Sequence, residues 1–326
     1  MVTVSYKRGS MRPIKTKFVK NALATPTVPV DQISHSLQDQ WKQIDLVNPM
    51  DTNLVVVAGL AEHPTLKMNE TFFWYHQFAL CIEGEMVVQD LANGKVYRAH
   101  DGDLYYWAPG HRMMLGGKFK AFYVKTPIPS RWVNTHNGKQ GVPMQELINE
   151  TTFPASLPSE VKKVRPWPSG APAMPRMKLV KGATKARPTA TSGGTDDWRQ
   201  VELINALDSD LTAVAGVVKV NSKGEFACYH RSHRVTVVLD GQAVNEDADT
   251  GEVYRGEKGD LFYWPPGLRH RLSGKFSAYF VETPITSRWV KGPKGVKRLN
   301  LTDLKGEIVR KASPPDEVMK GRLERA

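Results

Sequence analysis

Residues 254–290 read YRGEKGDLFYWPPGLRHRLSGKFSAYFVETPITSRWV, and residues 97–133 read YRAHDGDLYYWAPGHRMMLGGKFKAFYVKTPIPSRWV. The two stretches match without a gap at an offset of 157 residues, and the match extends upstream to Trp41 and Trp198. About two in five of the aligned positions are identical, which is far more than chance allows. The chain therefore contains one module twice.

The duplication divides the chain of 326 residues into five segments. We expect an N-terminal arm over 1–40, a first module over 41–133, a Pro-rich connector over 134–177, a second module over 178–290 and a charged tail over 291–326. A chain of this length is long enough for two domains, each with an apolar core of its own.

Within each module the local pattern is that of β-strands. Short apolar runs rich in β-branched and aromatic residues, such as 54–58, 78–82 and 235–239, are separated by Gly, Asp and Asn. Asn93-Gly94 lies between two such runs and predicts a hairpin turn. Many short strands with turns at this spacing are typical of a sandwich or a small barrel. The pattern alone predicts an all-β fold in two tandem copies.

The segment from Gly259 to His270 resembles the second motif of the cupin superfamily. That motif is a Gly, five residues, a Pro, one residue, a Gly, two residues and a His, and Gly259, Pro265, Gly267 and His270 match every spacing. The first module keeps Gly102 and Gly110 of this motif but has Ala108 and Met113 in place of the Pro and the His. Because the module occurs twice, the resemblance implies two tandem jelly-roll β-barrels in one chain, the bicupin arrangement.

The first cupin motif is matched more loosely, by counting back from the turn glycine Gly241. That register places Cys228, His230 and Arg234 where the family has its two His ligands and its Glu. In the first module the corresponding ligand positions of the two motifs hold no histidine: they are Thr71, Phe73, Gln77 and Met113. The resemblance therefore implies a candidate site in the second barrel and a degenerate site in the first.

The histidines of that site predict a divalent metal, which would be Fe, Mn, Ni, Co or Zn. His230 and His270 occur only in the second module, and in the cupin register both project into the barrel, where two imidazoles can share one ion. Cys228 lies two residues before His230 on the same strand face, and is either a thiolate ligand or a small buried apolar group. His233 is the other candidate for a third ligand, although strict alternation points it away from His230.

The residue at the Glu position, Arg234, favours an anion rather than a metal ion. A guanidinium cannot ligate a metal and repels a cation, but it holds a carboxylate or phosphate bidentately. If a metal is present, the resemblance implies an enzyme on a small anionic or aromatic molecule, dioxygenase-like or else an isomerase, lyase or cyclase, with Arg234 holding the substrate anion. Without a metal, His230 or His270 would be a general base, and Tyr263 is the candidate acid. The alternative is a non-catalytic, metal-free bicupin that binds an anion through Arg234.

Composition limits the partners. The net charge is +12, but the basic residues cluster in 1–30 and 160–187, which are terminal or Pro-rich stretches, so we do not expect nucleic-acid binding. No apolar run is long enough for a membrane span, and no nucleotide-binding motif occurs. Two cysteines, Cys81 and Cys228, make no disulfide framework, which favours the cytoplasm. We expect a small-molecule partner, and a homodimer is compatible with the edge strands.

Overall fold

In a computed structural model, part of the chain between residues 15 and 300 is described. The described residues are 15–29, 41–52, 55–73, 75–109, 111–127, 130–135, 138–143, 177–188, 198–205, 208–209, 212–230, 232–284, 287–292 and 295–300. The side chains of residues 49–50, 72, 130–143, 223–229 and 287–300 are outside this description. Most of the predicted arm, connector and tail therefore lies outside the described residues.

The predicted all-β class is confirmed. The described residues form strands and three short 3₁₀ turns, at Ala22–Ala24, Pro49–Thr52 and Ala183–Lys185, and none of them forms an α-helix. Accordingly, the described part of the chain offers no helix with the length and apolar character needed to cross a membrane. The strands are β1 Lys17–Val19, β2 Val28–Pro29, β3 Lys42–Val47, β4 Val57–His63, β5 Asn69–Phe72, β6 His76–Gly84, β7 Met86–Asp90, β8 Val96–Ala99, β9 Leu104–Trp107, β10 Arg112–Gly116, β11 Phe119–Thr126, β12 Ser130–Thr135, β13 Gly138–Pro143, β14 Met177–Val180, β15 Trp198–Ile204, β16 Val214–Tyr229, β17 His233–Asp247, β18 Val253–Gly256, β19 Leu261–Trp264, β20 Arg269–Thr283, β21 Ser287–Gly292 and β22 Gly295–Asn300.

Each repeat supplies most of the strands of its own antiparallel sheets. The first has one sheet in the order β14-β9-β6-β11-β4-β3-β2 and another in the order β5-β10-β7-β8. The second has a sheet in the order β1-β19-β17-β20-β16-β15, with β18 on β17. We call residues 41–127 the first β unit and residues 198–284 the second β unit. Two small hairpins, β12–β13 and β21–β22, follow the units.

Period-two alternation along these strands produces three large apolar clusters and one small one around Tyr123. One cluster lies inside the first unit around Trp107, and another lies inside the second unit around Trp264. The third cluster contains residues of both units, including Phe122 and Tyr279, and is therefore the core between them. Neighbouring residues on one strand therefore pack into different cores. Trp264 packs into the interior of the second unit, whereas Tyr263 packs into the core between the units.

The two units meet through equivalent residues. The rings of Phe122 and Tyr279, which are 157 positions apart, pack edge to face at 6.3 Å. The hydroxyls of Thr126 and Thr283, separated by the same interval, lie 3.0 Å apart and share a hydrogen bond. Contact between a residue and its own counterpart is the mark of a twofold axis. The duplicated modules therefore pack as the two halves of a symmetric dimer would.

The units also exchange strands. β1, which precedes the first unit, pairs with β19 of the second unit, and β14, which precedes the second unit, pairs with β9 of the first. Each exchanged strand is fastened by a buried aspartate in the turn before the receiving strand. Asp260 accepts hydrogen bonds from Lys20 Nζ at 2.8 Å and from the Asn21 backbone N–H at 2.7 Å. Asp103 receives the matching pair from Lys181 and from the Gly182 N–H.

Replacing Asp260 by Ala is expected to release β1 from the second unit. Although burial raises the pKa of Asp260, its hydrogen bonds with the backbone and with Lys20 hold that pKa below the usual range, which shows that they favour the carboxylate. Losing them should lower the free energy of unfolding by about 2 kcal/mol and speed hydrogen exchange at residues 17–19. Lys20→Ala removes only the exposed partner and serves as the control. Unchanged exchange in the Asp260 variant would show that the strand is held otherwise.

Candidate functional site

The residues of the candidate site come from four strands of the second unit. His230 immediately follows β16, Arg234 and Asn245 lie on β17, Trp264 ends β19, and His270 is the second residue of β20. β17 can contribute at both ends because it bends sharply: its register with β20 shifts between Val238 and Asp240, and Gly241 adopts a φ of 79°. A Cβ on Gly241 would lie 2.1 Å from the Lys275 carbonyl oxygen, so only glycine fits this bend.

His270 is fully buried and has a fixed orientation. Its Nδ1 lies 2.7 Å from Asn245 Oδ1, and its ring stacks on Trp264 with the centroids 5.1 Å apart. The indole Nε1 of Trp264 donates to the same Asn245 oxygen at 3.1 Å. Because that oxygen only accepts, Nδ1 of a neutral His270 carries the proton, and the lone pair is on Nε2.

His230 completes a histidine pair. Its ring centroid is 5.1 Å from that of His270 and 5.4 Å from that of Trp264. Its backbone carbonyl accepts a 2.8 Å hydrogen bond from the N–H of Gly267, which ties the glycine of the second sequence motif to the end of β16. The Nε2 atom of His230 is buried, and none of the described residues forms a hydrogen bond with it.

Both imidazoles are neutral at pH 7. Burial lowers the pKa of His270 to about 4, and the positive charge of Arg234 contributes to that shift. Burial, then Arg234, then His270 lower the pKa of His230 well below its ordinary value. An unprotonated ring nitrogen accepts a hydrogen bond or binds a metal, so the pair is kept in a form competent for either.

Arg234 lies beside the histidines and is only 2% exposed. Its Nη1 donates to the carboxylate of Glu282, and its Nε donates to Thr236 Oγ1 at 3.4 Å. The guanidinium carbon lies 4.2 Å from the ring centroid of Phe280 and 5.2 Å from that of Trp198. Cation–π contact of this kind holds the guanidinium plane in place.

Three buried polar atoms of this cluster have no hydrogen-bond partner among the residues that the structure describes: Arg234 Nη2, Asn245 Nδ2 and His230 Nε2. Two of them are obligate donors, and leaving a buried donor unpaired costs about 1–3 kcal/mol. The three residues belong to one continuous set of contacts, running from Asn245 through His270 to His230 and from Arg234 through Glu282 to His230. Unpaired buried donors concentrated in one place indicate a site for a ligand that accepts hydrogen bonds.

The described residues meet the demands of a metal centre only in part. Within the described ranges no group of three or more His, Cys, Asp or Glu side chains lies close enough to hold an ion. The carboxylate of Glu282 lies 3.8 Å from His230 Nδ1, and Arg234 already occupies the same oxygen. The side chain of Cys228 is outside the description, but the β16–β20 register places Cys228 directly opposite His270.

His233 and Tyr263 are not brought to this cluster. His233 Nδ1 lies 2.7 Å from the Tyr263 hydroxyl, and their rings stack. The first unit repeats the arrangement, with His76 Nδ1 2.8 Å from the Tyr106 hydroxyl. Tyr263 and Tyr106 both belong to the core between the units, on the strand faces opposite to Trp264 and Trp107. The pairs therefore have a shared place in the interface, which fits the packing role that their presence in both modules suggests.

Four buried neutral histidines make stability dependent on pH. Burial lowers the pKa of His76, His233 and His270 to about 4 and that of His230 well below the ordinary value. The unfolded chain takes up these protons near pH 6.5, so this stabilisation is complete above that pH and is lost as the pH falls towards 4.

We expect the free energy of unfolding in urea to fall from near pH 6.5 towards pH 4, by up to about 1.4 kcal/mol per pH unit for each histidine. His233→Gln should flatten this slope. A slope that does not change in the His233 variant would contradict the assignment.

Comparison with known proteins identifies the fold. No family model matches the chain, and no curated protein matches it in sequence. Solved structures do match it. A structure named "Putative Glyoxylate Induced Protein", from Pseudomonas aeruginosa, is 12% identical with a TM-score of 0.57, over 88% of this chain and 96% of its own. Ylba of E. coli, assigned to the cupin-type family DUF861, is 13% identical with a TM-score of 0.51, over 85% and 94%. The chain has a cupin-type fold.

The cupin fold sets no activity at these identities. A mutant of oxalate decarboxylase from Bacillus subtilis also matches, with 14% identity and a TM-score of 0.46 over 89% of this chain and 81% of its own. That similarity is too distant to carry an argument about chemistry. The function of this cupin fold must be argued from its own site.

Two contributors to the site were missed by the sequence analysis, Asn245 and Glu282. Neither occupies a ligand position of the cupin motifs. Both differ between the modules, however: the first unit has Val88 and Lys125 at the equivalent places. The comparison of modules that singled out His230 would have found them had it been applied to every position rather than to the motifs.

Proposed function

We propose that the second β unit binds a small carboxylate, with Arg234 as its anion-holding residue. The observation that carries this proposal is the unpartnered Nη2 of a guanidinium that is almost fully buried. Thr236 accepts from Nε and Glu282 from Nη1, so the nitrogen left for a ligand is Nη2, with its two N–H groups. A carboxylate supplies both the acceptor and the negative charge that a buried guanidinium lacks on that side.

The neighbours of Arg234 support the same ligand class. Asn245 Nδ2 offers a second unpartnered donor, and the neutral His230 offers a ring nitrogen that donates or accepts according to its tautomer. Phe280 and Trp198 hold the guanidinium, so little freedom is lost when an anion binds. Burial excludes water that would otherwise compete for these donors. The cluster thus provides a dry and preorganised site with unpartnered donors.

Calorimetric titration tests the proposal with a matched pair of ligands. Benzoate and benzamide have nearly the same shape, but only benzoate is an anion. We expect benzoate or acetate to bind with one equivalent per chain, and binding at the Arg234 site to be lost when the carboxylate is replaced by an amide. If no small carboxylate binds to the intact protein, the proposal is wrong.

A metal-dependent enzyme is the second candidate, and the histidine pair favours it. The bond from His270 Nδ1 to Asn245 is the kind that orients metal-binding histidines, and the register places Cys228 opposite His270. A divalent ion held by His230 and His270 would supply Lewis-acid or oxygen-activating chemistry, as in the dioxygenase-like, isomerase or lyase reactions expected from the resemblance.

Elemental analysis separates the two candidates. Protein purified without chelators should contain close to one equivalent of Fe, Mn, Ni, Co or Zn if the second candidate holds, and His270→Ala should lose it. Benzoate binding that is unaffected by exhaustive metal removal would leave the metal-free anion site as the function. A metal retained in full by the His270 variant would refute this placement of the centre.

A further inference from the structure

The first β unit, whose cupin positions hold no histidine, contains buried polar atoms without partners of its own. Gln77 occupies the place of Arg234 and is 4% exposed, and Trp107 occupies the place of Trp264 and is 1% exposed. The Oε1 of Gln77 and the Nε1 of Trp107 are both buried and have no hydrogen-bond partner within the described part of the chain. In the second unit the equivalent indole nitrogen is satisfied by Asn245, but the first unit has Val88 there.

The two unpaired atoms lie on neighbouring strands and complement each other. Gln77 on β6 is the register partner of Trp107 on β9, so their side chains stand next to each other on the inner face of the sheet. One atom is an acceptor and the other is a donor, and they do not bond to each other. A molecule that presents an N–H or O–H beside a carbonyl oxygen would satisfy both at once.

The surroundings define the rest of the ligand. Phe73 packs against Trp107 with the ring centroids 5.7 Å apart and against Tyr75 at 5.5 Å. Tyr105 stacks on Trp107, with the ring centroids 5.0 Å apart. These aromatic rings favour a ligand whose remaining part is apolar or aromatic. A carboxylate would face the lone pairs of Gln77 Oε1, and a cation buried here would have no paired carboxylate among the residues named above. The group that fits this pair of atoms is therefore uncharged.

We infer that the first β unit is a second ligand site, specific for an uncharged carboxamide on an apolar or aromatic body, bound between Gln77 and Trp107. The site is independent of the carboxylate site in the second unit. The modules therefore divide two related ligand classes between them: Arg234 selects the acid, and Gln77 selects the amide.

The test uses benzamide as the probe on the full chain. In the proton–nitrogen spectrum, addition of benzamide should shift the indole N–H signal of Trp107, which Trp107→Phe identifies by its disappearance. Gln77→Leu should weaken benzamide binding about tenfold and leave benzoate binding unchanged, because one buried hydrogen bond is lost. Arg234→Met is the matched control in the other unit and should leave benzamide binding within about twofold.

The outcomes distinguish this inference from the function proposed for the second unit. If benzoate binds and benzamide does not, the unpaired atoms of the first unit hold water only, and the inference is overturned while the carboxylate site stands. If benzamide binds but shifts no Trp107 signal, it occupies another place and the inference is likewise overturned. The indole signal is read in the unmodified protein, so the test does not depend on the folding of the Gln77 variant.

Discussion

Replacement of Lys178 by Met is expected to lower the free energy of unfolding by about 3–5 kcal/mol. Lys178 lies on the exchanged strand β14, and its side chain is fully buried. Its Nζ is 2.6 Å from Asp208 Oδ2 of the second unit, and Asp208 is 3% exposed. Without the lysine, a carboxylate stays in the core between the units with no opposite charge, and its dehydration is not offset.

The duplication supplies the control for this prediction. Lys17 on β1 forms the equivalent pair with Asp51, also at 2.6 Å, but there the side chains are 33% and 27% exposed. Because water screens the exposed pair, Lys17→Met should cost under about 1 kcal/mol. The measurement is urea unfolding of both variants under the same conditions. Equal losses would mean that burial does not set the strength of the pair.

Asp208→Asn in the Lys178→Met background isolates the cause. If the cost arises from an unpaired charge, neutralising Asp208 should restore much of the lost stability. Asp208 also accepts a 2.8 Å hydrogen bond from the Asn205 backbone N–H, which an Asn side chain can still accept through its oxygen. A double variant as unstable as the single one would point to lost packing instead.

Replacement of Arg234 by Met is expected to weaken benzoate binding about 100-fold, since truncating one partner of a buried charged hydrogen bond costs about 2–5 kcal/mol. Met fills most of the volume of the arginine stem and keeps the contact with Phe280. Arg234→Lys, which keeps the charge but not the planar fork, should give an intermediate loss of about tenfold. Affinities come from calorimetric titration.

The control for Arg234 concerns its ion-pair partner. Glu282 is 20% exposed at its side chain, so it can regain water when the guanidinium is removed. Glu282→Gln in the Arg234→Met background should therefore restore stability without restoring benzoate binding. If the Arg234→Met protein binds benzoate as tightly as the original, the anion is held elsewhere and the proposed function fails.

The sequence was sufficient to predict the all-β class and the cupin resemblance, because turn glycines and aromatic strand residues recur in both modules at fixed spacing. It also placed His230, Arg234 and His270 in one cluster, since their positions follow from strand alternation and a shared motif. His233 was harder to place, because one residue of register decides whether a side chain faces the interior or the interface. The positions of Asn245 and Glu282 in the site could not be predicted, because they depend on how β17 pairs with β20. The spacing of residues along the chain does not encode that pairing.

The exchanged strands suggest how the protein arose. In a symmetric dimer of single modules, the first strand of each chain would pair with the sheet of the other chain. Within this one polypeptide, β1 and β14 pair in the same reciprocal way. A tandem fusion would keep that reciprocal exchange and would let the two sites diverge independently, because the residues of each site come from one module. One consequence is practical. A fragment ending at residue 133 would lack β14, so the edge of β9 would have no pairing strand. Recombinant halves of this protein should therefore capture each other's strands.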